Sequence, residues 1–264
     1  HLGIVYAEVR DPRISSILKG ETDLDGIRTF SSYFDIIIMR HHENGLAEEV
    51  AYMMNQIDRK IPVISGGAGS DEHPTQALLD MYTLKRAFDD KRGGIEGLKI
   101  AFVGDVARGR TVRSLSKLLT LYDDVELTYV SPEELKIKDD LRGFLDRSGV
   151  RYEEELDLRK IIGEVDAVYM TRLQDEYDAD NESSSIDYRK YSLTLSEVQK
   201  MKQSAIIMHP LPRRGELSVE IDNDPRAMYW RQERNGMWVR AALMAYMFNV
   251  ESLIFDYYSK HHTY

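Results

Sequence analysis

The sequence predicts an α/β fold of two domains, each a parallel sheet flanked by helices. Short apolar runs rich in β-branched residues recur along the chain, the pattern of parallel strands buried on both faces. Stretches with apolar residues at helical spacing lie between them, an alternation that builds βαβ units. A charged, glycine-bearing segment, Asp89 to Gly97, separates a first series from a second and reads as a linker.

Taken in order, Phe34-Asp35-Ile36-Ile37-Ile38-Met39 is a strand. Gly45 introduces a helix with Leu46, Val50, Met53, Met54 and Ile57 along one stripe. Lys60 to Ser65 is a second strand, ending at Gly66-Gly67. Pro74 suits the first turn of a helix running to Phe88, because its missing N–H would have no partner there anyway. In the second series, Lys99–Val103 is a strand that turns at Gly104-Asp105 into a helix carrying Val112, Leu115, Leu118 and Leu119. Further strands are predicted at Glu126–Val130, Ala167–Met170 and Ala205–Met208, with helices around Lys138–Ser148 and Leu195–Lys202. Met237 to Phe255 reads as one long terminal helix, and Asp178 to Ser185 as the most polar loop.

At 264 residues the chain can bury a sizeable core as one large domain or two modest ones. None of its apolar runs approaches the ~20 residues that cross a bilayer, so no membrane role is expected. A formal net charge of −10 repels nucleic acid, so arginines that handle anions must act inside a cleft. The absence of cysteine excludes disulfides and Cys-ligated zinc, and is compatible with a reducing cytosol. The chain opens with His1 rather than methionine, which points to a fragment or a processed product.

Four segments place arginine, histidine or glutamine beside apolar stretches: Met39-Arg40-His41, His73-Pro74-Thr75-Gln76, Thr171-Arg172-Leu173-Gln174 and His209-Pro210-Leu211-Pro212-Arg213. Arg40 emerges at a strand's carboxyl end, either as a cap pairing with a surface acid or as an oxyanion ligand with a planar fork of donors. His73 to Gln76 opens a helix, whose unpaired N–H groups and partial positive charge attract anions. His73 can donate to a carbonyl oxygen and Gln76 can accept from an amide NH2; plain helix capping is the bland alternative. Gly104 to Thr111 lacks the Gly-x-Gly-x-x-Gly spacing of a dinucleotide site, which disfavours a nicotinamide oxidoreductase. Arg110 in that segment reads better as a carboxylate ligand, and Arg172 repeats the design after another strand. Two such arginines could grip a dicarboxylate. In His209 to Arg213, two prolines flanking Leu211 hold the backbone extended and remove two donors, leaving carbonyls as fixed acceptors. Ligands in parallel sheets bind beyond the carboxyl ends of the strands, where all four segments fall.

In this order, these segments resemble the aspartate/ornithine carbamoyltransferase family. Lys19-Gly20-Glu21-Thr22 near the front, and the stretch from Val219 through Arg231-Gln232 to Arg240, are similar to it as well. Thr75 and Leu211 favour the aspartate catalytic chains, since ornithine enzymes typically carry cysteine at both points. The resemblance implies transfer of a carbamoyl group from carbamoyl phosphate to L-aspartate, a step of pyrimidine synthesis, with no cofactor and no metal. It implies that Arg40, His73 and Gln76 hold the carbamoyl group, that Arg110 and Arg172 hold the aspartate carboxylates with Gln174 assisting, and that Leu211 and Pro212 orient the amine. Ser15 and Lys19 would lie on a mobile loop entering a neighbouring subunit's site, which makes a cytoplasmic homotrimer the expected form and leaves the docking of regulatory chains open. Domains are expected at 1–88, for carbamoyl phosphate, completed by a C-terminal helix 243–264, and at 89–242, for aspartate. The family's Ser-Thr-Arg-Thr phosphate loop has no counterpart in these residues, so the first domain is expected to lack its N-terminal part. His42 also stands where the family has proline. The rival expectation is a shortened, non-catalytic carbamoyltransferase-like module for assembly or ligand binding.

Overall fold

The computed structural model describes residues 20–69, 72–172 and 188–261. Ser15, Lys19, Gln174 and the Asp178–Ser185 stretch lie outside the described residues. The chain divides into two compact units, His1–Gly69 and Ser70–Tyr264.

In the first unit, α1 (Asp23–Ser31) precedes β1 (Ile37–His41), α2 (Leu46–Gln56) and β2 (Val63–Ala68). Thr22 caps α1 by accepting from the Asp25 N–H at 3.1 Å. β1 and β2 pair in parallel, with a register shift between Met39 and His41. Leu46, Val50 and Met54 from α2 bury against Ile61, with Leu24, Ile27, Ile37 and Met39 packed around them. The stripe read from the sequence is therefore the face that makes this unit's core.

The second unit runs α3 (Pro74–Arg92), β3 (Lys99–Val103), α4 (Arg110–Leu119), β4 (Glu126–Val130), α5 (Asp139–Ser148), β5 (Arg151–Glu155), β6 (Ala167–Met170), α6 (Leu195–Val198), β7 (Ile206–Met208), α7 (Tyr229–Met247) and α8 (Glu251–His261). Its five strands form one sheet in the order β5-β4-β3-β6-β7, and every neighbouring pair is parallel. Side chains alternate across it. Ile100, Phe102, Leu127, Tyr129 and Tyr169 pack with α3, α4 and α5 on one face, while Ala101, Val103, Val130, Val168 and Met170 pack with Leu193, Val198, Ile221 and Tyr229 on the other. Both faces are covered, which is why the strands read as continuous apolar runs. α7 packs along α3. At Gly236 a Cβ would stand 3.0 Å from the Leu79 side chain, so the two helices approach closely there.

Several boundaries differ from the sequence reading. α3 continues through Arg92 into the expected linker and ends on Gly93 in the left-handed region (φ 82°). The expected terminal helix is two, because Asn249 adopts φ 53° between α7 and α8. α6 spans Leu195–Val198 only, held by a capping box between Thr194 and Glu197. The sequence reading predicts neither α1 nor β5. β5 is an edge strand of sequence Arg-Tyr-Glu-Glu-Glu, whose charges are met by Arg142 on Glu154 (3.0 Å) and Thr128 on Glu153 (3.2 Å). Among the described residues no helix is long and apolar enough to cross a membrane.

Candidate functional site

Strand order locates the first part of the site. From β3 the chain builds β4 and β5 outward on one side, then returns to place β6 and β7 on the other. The crevice beyond the carboxyl ends of β3 and β6 is thus the topological switch point, where open parallel sheets bind ligands. Arg110 is the first residue of α4, following β3, and Arg172 follows β6 by two positions. The two turns are locked together. Thr171 donates to the Val103 carbonyl through both its N–H (2.8 Å) and its hydroxyl (2.8 Å). Gly104, at φ 113°, passes so close that a Cβ would stand 2.5 Å from the Thr171 carbonyl oxygen. Asp105, fully buried, accepts the Arg108 N–H at 3.0 Å and shapes the turn leading to Arg110. Arg110 and Arg172 are each half-buried.

The second part is the start of α3. The His73 N–H donates to Ser114 Oγ of α4 at 2.9 Å, tying this helix N-terminus to the helix that begins with Arg110. The His73 carbonyl accepts from Gln76 and Ala77. One turn on, Gln76 is buried and its Nε2 donates to Asp80 Oδ1 at 3.0 Å. Asp80 is also buried and accepts from the Tyr169 hydroxyl at 2.7 Å and from Gln232 Nε2 at 2.6 Å. Burial pushes the Asp80 carboxyl up to about 7, against the lowering pull of those hydrogen bonds and of Arg240.

The third part is the turn His209 to Arg213. Gln232 Oε1 accepts the His209 N–H at 2.8 Å, and the His209 ring is clamped at both nitrogens. Nδ1 accepts the Leu211 N–H at 2.8 Å, so Nε2 carries the proton and donates to Glu216 Oε1, also at 2.8 Å. Burial alone would raise the Glu216 carboxyl, but the His209 and Arg214 N–H donors outweigh it and hold it below its usual range. Arg213 makes a forked pair with Asp222 and lies over the Tyr229 and Trp230 rings at 5.6 and 5.5 Å. The extended conformation expected for this segment is not what forms. Leu211 sits at φ 51°, because the bond from its own N–H to His209 folds the chain into a tight turn. A branched residue in that region is strained, and strain of this kind concentrates at ligand sites.

Arg40 belongs to the first unit and is exposed at the register shift near the carboxyl end of β1, a device that re-aims a side chain. Beside it, Asp23, His41 and Glu43 offer ligand atoms within 4.8 Å of one another. His41 Nδ1 accepts the Glu43 N–H at 3.2 Å and Nε2 lies 3.5 Å from Asp23, an arrangement of the neutral Nε2–H tautomer that spends both nitrogens on protein groups. Asp80, Gln232, Glu216 and Asp222 were not singled out from the sequence. The available signal was Asp80 itself, a carboxylate on the helix face otherwise occupied by Leu84 and Phe88 and four residues after Gln76.

In the second unit these parts make a doubly wound α/β architecture with arginine, histidine and amide groups at strand and helix ends. Residues 1–86 match the family description "Aspartate/ornithine carbamoyltransferase, carbamoyl-P binding domain", and residues 96–247 match "Aspartate/ornithine carbamoyltransferase, Asp/Orn binding domain". The chain is 45% identical to aspartate carbamoyltransferase 1, chloroplastic, of Pisum sativum over 231 residues, covering 87% of this chain and 58% of that relative. It thus spans little more than half the length of the plant relatives it matches. It is 42% identical to the aspartate carbamoyltransferase catalytic subunit of Alkaliphilus oremlandii, covering 91% of this chain and 71% of the relative. Among solved structures, aspartate transcarbamoylase of Trypanosoma cruzi in complex with N-(phosphonacetyl)-L-aspartic acid superposes with a TM-score of 0.78 at 36% identity, over 90% of this chain and 73% of that one. The catalytic subunit of M. jannaschii aspartate transcarbamoylase gives 0.77 at 36% identity, over 91% and 75%. The chain belongs to the aspartate/ornithine carbamoyltransferase family.

Proposed function

We propose that the protein transfers the carbamoyl group of carbamoyl phosphate to the amine of L-aspartate, giving N-carbamoyl-L-aspartate and phosphate for pyrimidine synthesis. The observation that carries this reading is the pair of interlocked, arginine-bearing turns at the β3/β6 switch point. Arg110 and Arg172 take one aspartate carboxylate each, with Gln174 assisting. Arg40 and His73 hold the carbonyl oxygen and Gln76 accepts from the carbamoyl NH2. The Leu211 carbonyl, beside Pro212, orients the attacking amine. The neutral amine adds to the carbonyl carbon, the oxyanion is stabilised by Arg40 and His73, and phosphate departs with the amine's proton. No nucleophilic side chain is needed. Alignment of two substrates supplies roughly 7–11 kcal/mol, and each oxyanion donor about 2.7–4 kcal/mol. Relatives named as aspartate carbamoyltransferases, and similar structures solved with carbamoyl phosphate or with aspartate, support the substrates.

Residues 1–88 with the terminal segment 243–264 serve carbamoyl phosphate, and 89–242 serve aspartate; the packing of α7 along α3 supports that return of the chain end. Ser15 and Lys19 complete a neighbouring subunit's site in a homotrimer. The compartment is the cytoplasm, although the plant relatives are named chloroplastic. The test is formation of carbamoyl aspartate from the two substrates by the full-length protein, together with calorimetric titration of N-(phosphonacetyl)-L-aspartic acid. Turnover with tight binding is expected. A well-folded sample giving neither product nor heat would instead mark a non-catalytic module.

A further inference from the structure

We infer that Asp80, which touches neither proposed substrate, is a positioning residue that fixes the hydrogen-bond polarity of both amine-accepting parts of the site. The inference rests on the carbamoyl-transfer reading for what the site accepts, and on geometry for how it is held.

A carboxylate oxygen only accepts. Asp80 Oδ1 receives Gln76 Nε2 at 3.0 Å and Gln232 Nε2 at 2.6 Å, so one atom dictates which way two side-chain amides are turned. With its NH2 held by Asp80, Gln76 must present Oε1 elsewhere, as an acceptor. That is the polarity needed to receive the carbamoyl NH2. Gln232, turned the same way, gives its Oε1 to the His209 N–H at 2.8 Å. His209 in turn takes the Leu211 N–H on Nδ1, which sets the turn whose carbonyls are to receive the aspartate amine. An unbroken chain of bonds thus runs from Gln76 on α3, through Asp80 and Gln232 on α7, to the turn after β7.

Groups facing Asp80 from neighbouring elements are Tyr169 of β6 and Arg240 of α7, and Thr111 of α4 bonds the Tyr169 hydroxyl. Two amide donors face Oδ1, so a proton on Asp80 would sit on Oδ2, where the Tyr169 hydroxyl would turn from donor to acceptor. Oδ1 therefore stays an acceptor in either protonation state, and the polarity does not change with pH.

Gln232→Glu keeps an oxygen for the His209 N–H but sets a second carboxyl against Asp80 Oδ1. One shared proton preserves the geometry at low pH, and its loss drives the pair apart. Relative to the unsubstituted full-length protein, kcat/KM of this variant should fall roughly 10- to 100-fold between about pH 6 and about pH 9. In the double variant D80N/Q232E, the side-chain amide introduced on α3 donates to the carboxylate introduced on α7, which restores the His209 side. The same amide also shows an N–H to Gln76, whose own amide must flip. The KM for aspartate should then recover while the KM for carbamoyl phosphate stays raised roughly 10-fold. Melting temperatures read the same bonds without catalysis: Gln232→Glu should melt progressively lower than the parent as pH rises, and the double variant should not. A Gln232→Glu profile parallel to the parent's in rate and melting, or a double variant whose two KM values move together, overturns the inference. If both variants melt as expected relative to a folded parent that transfers no carbamoyl group, the functional reading is refuted and the role of Asp80 stands.

Discussion

Replacing Gly104 with alanine attacks the junction where the turn after β3 meets the end of β6. At φ 113° an added Cβ would lie 2.5 Å from the Thr171 carbonyl oxygen and 2.7 Å from its hydroxyl. The first of these is backbone, fixed by Thr171's own bonds to Val103, so no flexible side chain can move aside. Strain at such a φ costs about 1–3 kcal/mol, and forcing an extra carbon into a filled space costs about 1–3 kcal/mol more. At about 2–4 °C per kcal/mol for a domain of this size, the melting temperature should drop by about 5–20 °C. The relief available is to push the β6 end away from β3, which separates the Arg110 turn from the Arg172 turn. Initial-rate kinetics on the folded variant should show a raised KM for aspartate with a smaller effect on carbamoyl phosphate. A Gly104→Ala protein as stable as the parent, with unchanged aspartate saturation, would refute the claim that these turns are locked together.

Three further outcomes are expected. Because Asp80's carboxyl stands at about 7 in the native protein against an ordinary 3.8, the native state holds the extra proton between those values, and stability should fall as pH rises from about 4 to about 7. The full effect is about 4 kcal/mol, and denaturation midpoints of Asp80→Asn should lack that slope. Asp222, held at about 2 by Arg213, works in the opposite direction: its contribution is present above about pH 4 and lost as pH falls through about 2. Removing it with Asp222→Asn should cost only about 1 kcal/mol at neutral pH, measured by urea unfolding, since the pair is partly exposed. His209→Phe removes the Glu216 carboxylate's main donor and should cost about 1.5–3 kcal/mol, read as a lowered urea midpoint at unchanged m.

Much of the fold was legible because parallel strands covered on both faces leave little choice of composition. Lys99–Val103, Glu126–Val130 and Ala167–Met170 form strands over the ranges their apolar runs predict. β5 escaped notice because an edge strand is free to be charged: Arg151–Glu155 pairs with β4 through its backbone, and its charged side chains show no apolar run. The break at Asn249 is likewise a single backbone torsion inside an apolar stripe. For the site, strand and helix ends could be read from the sequence, and with them the positions of Arg40, His73, Gln76, Arg110, Arg172 and Leu211. What joins them could not. Asp80 and Gln232 lie far apart in the chain and meet only when α7 crosses α3, and the left-handed turn at Leu211 depends on a ring nitrogen of His209.

In the proposed reaction, two guanidinium groups at the β3/β6 switch point hold the two carboxylates of the acceptor amino acid. Its most direct test is carbamoyl-aspartate formation by the full-length protein carrying Arg110→Ala and Arg172→Ala, measured against aspartate concentration, with calorimetric titration of carbamoyl phosphate alongside. Aspartate saturation should disappear while carbamoyl phosphate still binds. Saturation by aspartate at the parent's KM in the double variant would contradict it.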